Sequence, residues 1–376
     1  MFRPFLPRSR SSVTRIDHGF WLGKRVLLTG HTGFKGSWLS LWLERLGATV
    51  TGLALEPPSS PSLFEGASVA EGMTSVIGDV RDIDTVRAVF DQSDPEVVIH
   101  LAAQSLVHAA YDDPLDTYST NVMGTANVLD AARDRSALRS VVMITSDKCY
   151  RNYEWDRGYH ESDELGGRDP YSASKGAAEL VIRSYAASWF PEGGQTAVAS
   201  ARAGNVIGGG DWAANRLVPD IMRAVAAGEP VMIRNPHALR PWQHVLEPLS
   251  GYLLLAERLW SDPVQTAGSW NLGPDAEQTK PVDWIVDRIT TLWGDGATWS
   301  LDGNEFPHED TYLRLDSSKI KSAFGWQPAF GTEVALEWIV EWYKAAHRGD
   351  DLRVVTLKQI EDYVALRRSM EGSGVA

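Results

Sequence analysis

Between Lys24 and Ile144 the chain alternates short, almost continuous apolar runs with longer stretches whose apolar residues recur at helical spacing. The runs are 25–29, 48–53, 74–77, 96–101 and 140–144; the helical stretches are 37–46, 83–90 and 116–133. Continuous apolar runs belong to strands covered on both faces, and strands joined through helices run parallel. Right-handed crossovers then predict an α/β fold built on a doubly wound parallel sheet.

Past residue 200 the rhythm breaks at Gly208-Gly209-Gly210, Asn235-Pro236, Gly273-Pro274 and Phe306-Pro307. Ten of the fifteen tryptophans follow position 210, and rings at that density fill the core and edges of a smaller lobe. Helical spacing returns over 246–260, 282–293 and 333–344. The expected organisation starts with a basic arm at 1–20, without fixed structure, and a dinucleotide-binding unit at 21–202 to which a segment near 238–270 returns. A smaller, irregular α/β substrate lobe takes 203–237 and 271–350, and a helix and tail take 351–376. The arm carries Arg3, Arg8, Arg10 and Arg15 against Asp17 but has no apolar core of a secretory signal.

A formal net charge of −13 disfavours nucleic acid and anionic membranes as partners. No apolar run reaches the roughly 18 residues that span a bilayer. The single cysteine, Cys149, excludes an internal disulfide and a multi-cysteine zinc site; no metal is expected, and a reducing, cytoplasmic compartment fits.

The first run ends in Gly30-His31-Thr32-Gly33-Phe34-Lys35-Gly36. Glycine is needed where the chain turns tightly, where a pyrophosphate approaches the backbone, and where helix meets strand. The following helix start offers free N–H groups and a positive dipole end. Strand, glycine turn and helix at the head of a βα series mark a Rossmann-type dinucleotide site, with Gly30, Thr32, Gly33, Phe34, Lys35 and Gly36 around the phosphates. Lys35, a cation in a first helical turn, is either solvated or reaching for the pyrophosphate. After the second run, Glu56 is the candidate for the ribose hydroxyls; no Arg or Lys stands there for a 2′-phosphate, so NAD is expected. Asp79, in Gly78-Asp79-Val80, is the candidate for the adenine edge.

Tyr171 and Lys175 lie four apart after Pro170, on one helix face. A cation near a phenol favours phenolate, which can take a proton from a substrate hydroxyl as hydride leaves its carbon. The run 140–144 delivers Thr145-Ser146-Asp147-Lys148-Cys149-Tyr150 at a carboxyl end, where open parallel sheets bind ligands. Ser146, Asp147 and Lys148 are therefore placed for chemistry, whereas Cys149 reads as a small buried filler.

These motifs, with Leu101-Ala102-Ala103-Gln104-Ser105 and Asn121-Val122-Met123-Gly124-Thr125, resemble the extended short-chain dehydrogenase/reductase superfamily. The stretches 30–43, 117–125, 145–150, 203–212, 233–236 and 240–252 are similar, more narrowly, to the nucleotide-sugar 4,6-dehydratases that act on CDP-glucose. The likeness spans about residues 20–345 and leaves out the basic arm.

The resemblance implies a hydro-lyase of deoxysugar and polysaccharide biosynthesis with NAD retained and regenerated in place. Tyr171 and Lys175 would oxidise C4 of the hexose, the ketone would acidify C5–H, Asp147 would protonate the departing C6 hydroxyl, and hydride would return to C6. It also implies Val80, Leu101, Ala102 and Ala103 beside the cofactor. Gln104, Ser105, Arg202, Asn205, Asn215, Arg216, Leu217, Arg240, Asn271, His308 and Tyr312 would meet the nucleotide sugar, arginine suiting a diphosphate because its fork donates in pairs. A homodimer is implied, through helices near 115–133 and 171–190, with further pairing to a tetramer open. The chain departs from the dTDP-glucose relatives at Lys148, which stands where they carry a carboxylate base. A neutral lysine there would be the C5 base, the role expected here; a charged one would stabilise the enolate oxygen. Two alternatives stand beside this reading. One is a different nucleotide-sugar dehydratase or a 4-epimerase, the latter having no need of an acid at C6. The other is a non-catalytic NAD sensor, which would not need Tyr171 and Lys175.

Overall fold

The computed structural model describes residues 16–302 and 313–372. Its centre is a sheet of seven strands: β1 (Arg25–Thr29), β2 (Thr49–Ala54), β3 (Thr74–Ile77), β4 (Val97–His100), β5 (Ser140–Ile144), β6 (Ala197–Arg202) and β7 (Gly268–Asn271). The order is β7-β6-β5-β4-β1-β2-β3 and every pairing is parallel. The expected doubly wound sheet is therefore present. The chain runs outward from β1 through β2 to β3, then crosses back to β4, so strand order reverses between β1 and β4.

Burial along the strands explains the continuous apolar runs. Val26, Leu28, Val97, Ile99, Val142 and Ile144 enter one core, together with side chains of α1 (Phe34–Arg45), α6 (Leu246–Ser261) and α8 (Thr332–Arg348). Their neighbours Leu27, Val98, Val141 and Met143 enter a second core with α2 (Ile83–Ser93), α3 (Gly124–Ala131) and α4 (Pro170–Trp189). Period-two alternation thus persists, but both faces are dry.

The C-terminal part adds α5 (Leu217–Ala227), α7 (Val282–Trp293), α9 (Leu352–Gly372) and three two-stranded pieces. Its tryptophans do not enclose a separate core. Trp270, Trp326 and Trp342 are fully buried in the same cluster as Trp38 and Trp42 of α1. The physical link is α6, whose buried Glu247 accepts from Tyr363 of α9 at 2.7 Å while Tyr363 packs edge-on against Trp42.

Two expectations change. The stretch 116–133 is not one regular helix: Pro114–Tyr118 leads into a π turn at Ser119–Met123 before α3 begins. The end of the basic arm belongs to the fold, since the Asp17 N–H and the buried Trp21 Nε1 both donate to Glu257, at 2.9 and 2.7 Å. Residues 1–15 lie outside the described part. Among the described residues no helix is long and apolar enough to cross a membrane.

Leu28 lies on the central strand with no exposed surface. Leu28→Ala is expected to lower unfolding free energy by about 2–5 kcal/mol in denaturant titration, whereas the exposed Leu22→Ala is expected to change it by less than about 0.5 kcal/mol.

Candidate active site

β5 ends at Ile144, and Ser146 turns the chain into a short 3-10 turn, Asp147–Cys149, its Oγ accepting from the Lys148 N–H at 3.3 Å. Asp147 is buried. Its Oδ1 accepts from Ser146 Oγ and from the Lys148 N–H, both at 2.9 Å, and its Oδ2 from Asn205 Nδ2 at 3.4 Å. Gly204 makes the space for this carboxylate, because a Cβ there would lie 1.9 Å from Asp147 Oδ2. Lys148 is half-buried beside it.

Packed against this turn is α4, which Asp169 caps by accepting from the Ser172 N–H at 3.0 Å, with Pro170 as the first helical residue. Four-residue spacing puts Tyr171 and Lys175 on the buried helix face. Burial pushes the Tyr171 phenol up to about 12, opposed by the nearby Ser146 hydroxyl. Burial likewise brings the Lys175 ammonium down to about 8, with Cys149 and Glu179 acting against the shift. Cys149 is buried, and burial pushes its thiol up, as befits a filler.

The glycine turn lies at the reversal between β1 and β4, where an open α/β sheet has its crevice. Gly30 has φ +78°, and a Cβ on it would lie 2.7 Å from the Ala102 backbone nitrogen; a Cβ on Gly36 would lie 2.0 Å from Gly30 O. Both glycines are demanded by close packing of strand, turn and helix. Gly33 is the N-cap of α1 and supplies no side-chain cap, so the first amides of this twelve-residue helix remain available to an anion. Such a cradle fits the pyrophosphate of NAD. Phe34 opens α1, Thr32 Oγ1 donates to Leu55 O at 2.8 Å, and Leu101, Ala102 and Ala103 follow β4, the Ala102 N–H donating to Thr29 Oγ1 at 3.2 Å. Lys35 is half-buried in the first turn of α1: burial, Arg216 and Lys175 bring its ammonium down to about 8, while Asp147 and Asp211 act the other way. Glu56 is exposed just past β2. Asp79 is engaged by Arg81 at 2.7 Å, which holds its carboxyl below the usual range, and Val80 is buried next to it.

Toward the substrate side, Arg216 spans the cleft, donating to Asp211 at 3.1 Å and to Ser105 Oγ at 3.1 Å. It follows Asn215, whose φ is +60°, and precedes Leu217, the first residue of α5, a helix start also without a side-chain cap. Arg240 lies on the short strand Leu239–Pro241. Gln104 spends its side chain internally, on Thr117 Oγ1 at 2.8 Å and the Leu106 N–H at 2.5 Å. His308 and Tyr312 lie outside the described residues.

Two expected ligands are structural instead. Arg202 has no exposed surface and is bound to Glu179 at 2.6 Å and to the Tyr150 hydroxyl at 2.6 Å, so its fork is not offered to a diphosphate. Asn271 is equally buried, accepting from Tyr150 at 2.7 Å and donating to Tyr159 O at 2.7 Å. Both lie at strand ends, but on the side turned into protein. Asn121, quoted above only within a motif, has a clear role: from the π turn it exchanges hydrogen bonds with the Gln104 backbone at 2.9 and 3.0 Å and donates to Ser174 Oγ at 2.8 Å, whose own hydroxyl donates to Tyr171 O.

Comparison with known proteins places this geometry. Residues 26–273 match the model of the NAD dependent epimerase/dehydratase family. The chain is 51% identical over 354 residues to the CDP-glucose 4,6-dehydratase of Salmonella typhimurium, covering 93% of this chain and 99% of that protein. It is 28% identical to the low-salt glycan biosynthesis protein Agl12 of Haloferax volcanii, over 87% of this chain and 99% of that one. Among solved structures it shares its fold with dTDP-glucose 4,6-dehydratase of Bacillus anthracis in complex with NAD, at 20% identity and TM-score 0.72 over 87% of this chain and 99% of the other. Epimerase Mth375 of Methanothermobacter thermautotrophicus gives TM-score 0.75 at 21% identity, over 88% and 95%. The glycine cradle, the Tyr171–Lys175 helix face and the match over two thirds of the sequence agree: the chain belongs to the NAD dependent epimerase/dehydratase family, whose cofactor is NAD.

Proposed function

We propose that this protein converts CDP-glucose to CDP-4-dehydro-6-deoxyglucose and water. The observation that carries the reading is the turn after β5, where the buried Asp147 carboxylate accepts from Ser146 Oγ and has Lys148 next to it, packed against the helix that carries Tyr171 and Lys175 on its buried face. An acid and a base beside the tyrosine are what elimination adds to simple hydride transfer. The nucleotide is read from the 51% identity to the Salmonella CDP-glucose enzyme.

When bound, NAD accepts hydride from C4 of the hexose and returns it to C6. Tyr171 takes the C4 hydroxyl proton, the charge of Lys175 one helical turn away favouring phenolate. The C4 ketone acidifies C5–H, and Lys148, in its neutral form, removes that proton. Asp147 protonates the C6 hydroxyl as it leaves. The protons balance over the cycle: one is taken from O4 and one is delivered to the departing C6 hydroxyl, while Lys148 returns a proton to C5 after hydride arrives at C6. The diphosphate is met by Arg216, Arg240 and the uncapped start of α5.

The assembly is a homodimer. Tyr111, Leu115, Tyr118 and Met123 on the segments before α3, and Leu180 and Trp189 on α4, are large apolar side chains left exposed on helices adjacent to the site. A second copy covers this face as a four-helix bundle. A reducing, cytoplasmic compartment suits a chain whose one cysteine is free and buried.

With NAD added, CDP-glucose is expected to give a 4-keto-6-deoxy product by NMR faster than dTDP-, GDP- or UDP-glucose; no turnover of any would defeat the reading. Tyr171→Phe is expected to lower kcat by about 100-fold or more. Lys148→Met is expected to abolish solvent deuterium entry at C5, and Lys148→Glu to retain turnover if the group is a base; complete loss in the glutamate variant would mean that Lys148 acts as a cation. Because the ammonium of Lys175 titrates near 8, its charge is present below that pH and lost above it, so kcat is expected to fall as pH rises through about 8.

A further inference from the structure

Tyr171, Lys175 and Glu179 recur every four residues along α4 and so share its buried face. The first two are accounted for by hydride transfer; Glu179 is not. It has no exposed surface, and its carboxylate is fully subscribed. Oε1 accepts from Thr145 Oγ1 at 2.5 Å; Oε2 accepts from Arg202 at 2.6 Å, Ser200 Oγ at 2.9 Å and Ser269 Oγ at 3.3 Å. These partners lie at the carboxyl end of β5, on β6 and on β7. Thr145 immediately precedes Ser146, Asp147 and Lys148, and its own N–H is held by Ala201 O of β6 at 3.0 Å. Arg202 continues the network to the Tyr150 hydroxyl, on the far side of the catalytic turn, at 2.6 Å.

We propose that Glu179 is a positioning residue for the dehydration: it fixes the helix that carries Tyr171 and Lys175 against the strand end that carries Ser146, Asp147 and Lys148. The proposal rests on the reading that Tyr171 and Lys175 perform the hydride step.

Two physical arguments support it. The reaction uses groups from two elements in one cycle, and a misplacement of about 1 Å between such groups costs on the order of 100-fold in rate. The backbones of α4 and β5 make no ladder with each other, so their mutual position depends on side chains such as Glu179 and Thr145. The second argument is energetic. Glu179 is a buried carboxylate whose oxygens are both spent on groups at the end of β5 and on β6 and β7. It stays ionised because, against the cost of burial, Arg202 and the hydroxyls of Thr145 and Ser200 hold its carboxyl below the usual range. A buried pair of this kind gives little net stability compared with apolar groups of the same shape, so its value here lies in position.

The test uses three variants of the full-length enzyme with saturating NAD, after turnover of CDP-glucose by the parent has tested the underlying reading. Thr145→Val removes only the tether to the catalytic strand end; it is expected to lower kcat about tenfold, with KM for CDP-glucose little changed, and Thr145→Ser, which restores the hydroxyl, is expected to recover most of the loss. Because Glu179→Gln alone would strand the Arg202 charge, Glu179→Gln with Arg202→Met removes the pair together; it is expected to melt near the parent temperature yet keep kcat about tenfold low with KM little changed. Parent-like kcat in the double variant and in Thr145→Val would overturn the proposal, leaving Glu179 a structural ion-pair partner only. A parent that turns over no nucleotide sugar would instead defeat the functional reading, so the two failures are distinguishable.

Discussion

Because both faces of the seven-stranded sheet are covered by helices, a polar side chain of the strands can reach a ligand only from their carboxyl ends. That constraint organises the molecule. β1 ends in the glycine turn, β4 in the Leu101–Ala103 segment, β5 in Ser146-Asp147-Lys148, and β6 runs on to Gly204 and Asn205 beside Asp147. Four strand ends deliver the glycine turn, the Leu101–Ala103 segment, Asp147 with Lys148, and the Asn205 partner of that carboxylate to one edge, and α4 lays its Tyr171–Lys175 face along them. The chemistry needs no special fold element, only that these ends stay in register.

Close approach sets how tightly they do so. Gly30 and Gly36 let strand, turn and helix meet without a side chain between them, and Gly204 lets the Asp147 carboxylate stand where any Cβ would collide with it. Buried polar contacts complete the arrangement: Asn121 ties the π turn to the Gln104 backbone and to the Ser174 that braces Tyr171, and Thr29 meets the neutral His100 ring at 2.7 Å under the crevice. Each group is satisfied by a partner from a different strand or helix, so the polar interior doubles as the register of the site.

Much of this was legible in the residues. Continuous apolar runs announced buried parallel strands, and the glycine turn, the Tyr-x-x-x-Lys spacing and the polar triplet after β5 each announce themselves locally. What stayed hidden was pairing across the fold. An arginine at the end of β6 looks like a diphosphate ligand until Glu179, 23 positions earlier on α4, is seen to face it inside the core. Asn271 misleads in the same way, since only the folded chain brings Tyr150 and Tyr159 to its amide. The 116–133 stretch has the composition of one helix, and nothing in its periodicity marks the π turn that aims Asn121 at the catalytic helix. The tryptophans suggested a second core, whereas α6 joins them to the first.

The central claim is an internal redox cycle in which one hexose loses hydride from C4 and regains it at C6. Its most direct measurement is turnover of CDP-glucose deuterated at C4, mixed with CDP-glucose that carries carbon-13 throughout the hexose and no deuterium, followed by mass spectrometry and NMR of the product. The account predicts that deuterium is found at C6 of the same molecule that carried it at C4, with no exchange between the two populations. Deuterium lost to solvent, scrambled between molecules, or retained at C4 of an epimerised sugar would contradict it.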